Sequence, residues 1–69
     1  MTEEYFKILT AFAVLCNYRD SSFEKLNNGD YKSWFEFHTT DEMKNFVEVC
    51  TINGFDPEPG LNTAFFNWD

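Results

Sequence analysis

Apolar and polar positions alternate along this chain in a way that divides it into short elements with tight punctuation between them. Over residues 2–17, Tyr5, Ile8, Leu9, Phe12, Leu15 and Cys16 recur at the i, i+3, i+4, i+7 spacing of one helix face. Glu3 and Glu4 suit the positive start of such a helix, and Arg19 lies near its negative end. Phe6, Ala11 and Val14 make the segment apolar almost all round, so a strand buried on both faces is the alternative. Length and the Ala and Leu content favour the helix. A helix with so little polar face is expected to be covered on more than one side.

Residues 22–38 read as a hairpin turning at Asn27, Asn28, Gly29 and Asp30. A two-residue loop would set Lys25 against Lys32. A three-residue loop ending in Gly29 sets Glu24 against Lys32 instead and is preferred. That register puts Phe23, Tyr31, Phe35 and Phe37 on one face and Glu24, Lys32, Trp34, Glu36 and His38 on the other. The first face is core; the second is mixed and carries a tryptophan, which remains outside unless the first helix lies over it.

Residues 39–54 carry a helix signature. Thr39 followed by Glu42 fits a capping box, Met43, Phe46, Val47 and Cys50 form one apolar stripe, and Gly54 stands at the left-handed C-terminal position with Phe55 ready to fold back on Cys50. Asp56-Pro57-Glu58-Pro59-Gly60 cannot continue a helix and reads as a stiff spacer. Residues 61–68 alternate as a third strand, Leu61, Thr63, Phe65 and Asn67 against Asn62, Ala64, Phe66 and Trp68. The expected fold is therefore α+β: one small domain spanning 1–69, in the order α-β-β-α-β, with a three-stranded antiparallel sheet packed against two helices.

Sixty-nine residues and 8.2 kDa leave room for one core and no large cofactor cleft, with roughly 4,500 Å² exposed after folding. Twelve acids against five bases give a net charge of -7, while 43% apolar and 20% aromatic residues exclude a disordered acidic tail. The imbalance is concentrated late in the chain: residues 41–69 hold six acids and only Lys44. This sign disfavours direct contact with nucleic acid or an anionic membrane, since each phosphate contact calls for Lys or Arg. It favours steering toward a basic partner, beside the plainer role of keeping a small domain soluble.

Chemistry-bearing patterns are sparse. One His and two Cys, at 38, 16 and 50, offer no zinc-ligand spacing, and Asp56 and Glu58 build no calcium loop, so no metal or cofactor is expected. The two cysteines are expected to be free, buried thiols. His38 with Glu36 or Asp41 is the one conceivable catalytic pair, better read as a histidine at a strand-to-helix junction, and the chain is taken as non-enzymatic. The start of the sequence lacks a basic signal-peptide pattern, and the apolar run from Tyr5 to Cys16 is too short to span a bilayer, so a cytoplasmic setting is expected.

Fourteen aromatic rings, at roughly 150–250 Å² each, exceed what so small a core absorbs, and rings left outside among acids are the usual anchors of protein interfaces. Trp34 is the first such anchor, Phe66 with Trp68 the second. Glu36, Asp41, Glu42, Glu48, Asp56 and Glu58 are the carboxylates expected to face a partner. The expectation is thus an acidic module that docks on a basic protein surface, possessing no site for nucleic acid or membrane. The alternative is a structural or adaptor subunit whose rings pair with a second copy or a permanent partner. In size, charge and lack of catalytic equipment the chain resembles small phage-encoded antagonists of host nucleic-acid enzymes, among them anti-CRISPR, anti-restriction and DNA-mimic proteins. The likeness is of kind rather than of motif. It implies a competitive inhibitor, acting in the host cytoplasm, whose carboxylates stand in for phosphates.

Overall fold

In the computed structural model, which describes the backbone of residues 2–68 and the side chains of 3–67, two helices lie on one face of a four-stranded antiparallel sheet. The elements are α1 (Thr2–Leu15), β1 (Tyr18–Lys25), β2 (Tyr31–Phe37), α2 (Thr40–Ile52), β3 (Glu58–Pro59) and β4 (Thr63–Trp68), and the strands are ordered β1-β2-β4-β3. The α+β class stands. The strand count does not: the Pro-containing segment read as a spacer pairs Glu58 with Phe65 and Pro59 with Ala64, adding a two-residue edge strand. Proline tolerates this place because an edge strand need not donate on its outer side.

The helix α1 ends earlier, and the first strand begins earlier, than the pattern implied. Asn17 takes a left-handed conformation (φ 61°), its N–H donating to the Val14 carbonyl at 3.1 Å, so that α1 turns into β1 through two residues. Residues 18–21 were missed as strand because Tyr18-Arg19-Asp20-Ser21 shows no apolar alternation; a β-bulge at Arg19 disrupts it. The hairpin loop is as expected, with Glu24 opposite Lys32. Leu26 N–H donates to the Asp30 carbonyl (2.7 Å) and Gly29 N–H to the Leu26 carbonyl (3.1 Å), leaving a three-residue loop that needs Gly29 at φ 92°.

Helix α2 is capped at both ends as its sequence dictates. Thr39 Oγ1 accepts from Glu42 N–H at 3.2 Å, while Glu42 Oε1 accepts from Thr39 N–H at 3.1 Å. At the other end Phe55 N–H donates to the Cys50 carbonyl (2.9 Å) and Gly54 N–H to that of Thr51 (3.1 Å), the paired bonds of a Schellman ending. The two helices run antiparallel. Tyr5 near the start of α1 meets Phe55 beyond the end of α2, and Asn17 after α1 reaches Glu42 in the first turn of α2.

The core lies between helices and sheet and is built from rings. Phe35, Phe37 and Phe46 are fully enclosed with Leu9, Ala13, Met43, Cys50 and Ala64. Phe35 is the hub, stacked on Phe6 at 5.3 Å and touching Tyr18, Phe46 and Phe66. Burial on the strands alternates: Ser33, Phe35 and Phe37 of β2 and Ala64 and Phe66 of β4 face the helices, so the residues between them face the opposite way. The surplus that escapes the core is more aliphatic than the ring count implied, since the most exposed large side chains include Leu15, Leu61, Ile52 and Val14.

Candidate docking surface

The strand face turned away from the helices is an open surface. Its positions are Asp20, Ser22 and Glu24 on β1, Lys32, Trp34 and Glu36 on β2, Thr63, Phe65 and Asn67 on β4, and Glu58 on β3. Trp34 lies opposite Phe65 on one side and Ser22 on the other, so two half-buried rings form the middle of the patch. Around them stand the carboxylates of Asp20, Glu24, Glu36 and Glu58, with Lys32 the one Lys or Arg among these positions. Helix α1 does not lie over Trp34; it packs on the other face, with Phe6 on Phe23 and Phe35.

Phe65 is held by the turn before it. Gly60 N–H donates to the Thr63 carbonyl at 2.7 Å, closing the loop between β3 and β4. A Cβ on Gly60 would come within 3.1 Å of both the Phe65 ring and that carbonyl, so the absence of a side chain is what lets the ring lie against the loop. Beside it, Lys32, Glu58, Pro59, Gly60, Phe65 and Asn67 line a shallow hollow of about 410 Å³.

The residues expected from the sequence to meet a partner divide among separate places. Trp34, Glu36 and Glu58 share the open sheet face. Asp41, Glu42 and Glu48 belong to α2, on the far side of the sheet, with Asp41 and Glu48 exposed. Glu42 is engaged within the molecule, since its Oε2 accepts from Asn17 Nδ2 at 3.0 Å. That bond, followed by those from Thr39 and the nearby charge of His38, holds the Glu42 carboxyl below its ordinary range despite some desolvation. Asp56 lines a second hollow, of about 380 Å³, with Tyr5, Phe55 and Asn67.

Phe66 corrects the sequence reading. It is 4% exposed and forms the floor of the core against Phe35 and Phe46, so it cannot serve as an external anchor. The error was one of facing: Ala64 and Phe66 are the apolar side of β4 and turn inward, leaving Phe65 outside with Thr63 and Asn67. That polarity was readable and would have identified Phe65 in place of Phe66. The Trp68 side chain lies outside the described residues; its backbone pairs opposite Tyr31. Asp20 was also missed, because it lies in the part of β1 that precedes the predicted strand, whereas Glu24 was placed on this face but not counted among the partner-facing carboxylates.

Cys16 and Cys50 are free thiols, Cys50 buried and Cys16 partly so. Burial pushes the Cys50 thiol up to about 12, with Cys16 adding to it, and burial followed by the Glu42 charge also raises Cys16. Among the described residues no group of three or more His, Cys, Asp or Glu is placed to hold a metal ion, and no helix is long and apolar enough to cross a membrane. His38 is exposed at the junction of β2 and α2. The chain matches no protein-family model, no curated protein and no solved structure.

Proposed function

We propose that this protein is a non-enzymatic binding module that uses its open sheet face to dock on a basic surface of a partner protein. The observation that carries this reading is the Trp34–Phe65 centre ringed by Asp20, Glu24, Glu36 and Glu58. Paired rings at the centre provide contact area that water leaves on binding, and carboxylates around them orient the encounter and raise its rate. Three strands about 4.8 Å apart and six residues long span on the order of 300 Å², well under the roughly 800 Å² per partner of a standard interface. Tight binding therefore needs the hairpin loop and the β3–β4 turn to join the contact. In its sharper form the partner surface is one that otherwise holds nucleic acid, and the module is a competitive antagonist of the kind made by phages.

The test is a pair of variants measured against a partner captured with the intact protein. Trp34→Ala is expected to raise the off-rate, and Glu36→Lys with Glu58→Lys to lower the on-rate and flatten its salt dependence. Asp41→Lys with Glu48→Lys, on the helix side, is expected to have the smaller effect. Full affinity after both sheet-face changes would remove this reading. For the sharper form, the partner's nucleic acid must be displaced by the intact protein and not by the Glu36→Lys, Glu58→Lys variant.

A further inference from the structure

A second surface, on the helix side, has a different character. Helix α1 is covered on one side only: Leu9, Ala13, Phe6, Phe12 and Cys16 face the core, while Ile8, Ala11, Val14 and Leu15 face outward, Val14 60% and Leu15 84% exposed. These four fall within about a third of the helix circumference at 100° per residue, a continuous apolar strip. A helix apolar on both sides is stable in water only when both are covered. From these observations we infer that α1 pairs antiparallel with α1 of a second copy of this chain, forming a weak two-fold dimer.

Charge selects that occupant and that direction. The molecule carries -7, yet the exposed charges along α1 are Glu3, Glu4 and Lys7, a balance of only -1. It is the surface on which a second copy is least repelled, whereas a basic partner is drawn to the sheet face. In an antiparallel pair centred between Ala11 and Phe12, Ile8 meets Leu15 of the other copy, and Glu3 and Glu4 at the start of each helix lie beyond the last turn of the other. A parallel pair would set Glu3 and Glu4 against themselves. Ala11 at the crossing lets the axes approach to the 8–10 Å of packed helices. From Ile8 to Leu15 the strip is about 10 Å long, far short of a permanent interface, so the dimer dissociates on dilution. The two sheet faces point away from each other in such a dimer, giving one assembly with two docking faces.

Sedimentation velocity across a dilution series is the test, with the described chain and its variants. The expected result is a mass that climbs from 8.2 kDa toward twice that value as concentration rises, and climbs more readily with added salt, which screens the like net charges. Docking on a basic partner responds to salt in the opposite direction, so failure of one reading is told apart from failure of the other. Leu15→Glu should weaken the dimer roughly tenfold or more, and Val14→Gln serves if that variant folds poorly. Ala11→Cys should cross-link to itself on oxidation where Glu3→Cys does not. A mass fixed at 8.2 kDa throughout, or self-association that survives Leu15→Glu and is lost in Trp34→Ala, overturns the inference.

Discussion

Phe46 shows how much of this fold depends on single side chains. It is fully enclosed and contacts the rings of Phe35, Phe37 and Phe66, joining α2 to both central strands. Truncating a buried Phe costs about 3–5 kcal/mol, which is as much as one core of this size supplies, roughly 3–5 kcal/mol. Phe46→Ala is therefore expected to leave the chain largely unfolded at room temperature, read by loss of far-ultraviolet dichroism. Phe65, equal in size, is half-buried on the other face, and Phe65→Ala is expected to fold and to lose partner binding. The Cys50 thiol, pushed up to about 12 from an ordinary 9.0, favours the neutral form in the folded state. Its contribution to stability is complete below 9 and is lost as pH rises from there toward 12, because only the unfolded chain then releases the proton. Alkylation of Cys50 in mild alkali should accordingly wait for unfolding, whereas rapid labelling of the native protein would contradict the enclosed position.

Among the elements, those with local chemistry were legible from the chain and those defined by partners were not. The cap at Thr39 and Glu42, the ending at Gly54 and Phe55, and the three-residue loop at Gly29 are each written in adjacent residues, and each stands in the structure. The start of β1, the pairing of Pro59 and the inward face of β4 are set by strands distant in sequence. No local pattern carries the first two; the third was written in the polarity of Thr63 and Asn67 against Ala64 and Phe66, and Phe66 was misplaced because that polarity was passed over. Thr39→Ala is expected to lower stability by about 1 kcal/mol, measured by urea unfolding, with the loss confined to the capping of α2. Glu42 adds a pH signature. Its carboxyl is held low in the folded state, so its stabilisation is present above the ordinary 4.5 and is lost as pH falls through the lower folded value. Glu42→Gln should therefore flatten the acid side of a melting-temperature profile, and an unchanged acid limb would show that the Asn17 and Thr39 bonds do not stabilise the fold.

Taken whole, the molecule separates two kinds of surface by the thickness of one sheet. Two half-buried rings ringed by four carboxylates lie on the strand side, and the aliphatic strip of α1 lies on the helix side beside the acids of α2. Exposed surface totals 4594 Å², close to the figure expected from mass alone, so the ring surplus is absorbed less by an oversized core than by sharing half-buried rings between the two sides of the sheet. Charge reversal at Glu36 and Glu58 is expected to leave the melting temperature nearly unchanged, because both lie at the solvent side and their replacement relieves part of the net -7. A drop of more than a few degrees would mean that the acidic ring is structural.

The margins of the sheet carry a consequence for behaviour at high concentration. On one border Pro57 and Pro59 allow a partner strand of two residues; on the other, the bulge at Arg19 interrupts the pleat and the Asp20 carboxylate accepts from Ser21 N–H at 2.8 Å. Both borders are therefore poor templates for a further strand. A protein with this many phenylalanines in extended segments would otherwise be prone to fibrous growth; here concentrated solutions should stay clear, and replacing Pro59 with a β-former such as Val should be the change that seeds filaments.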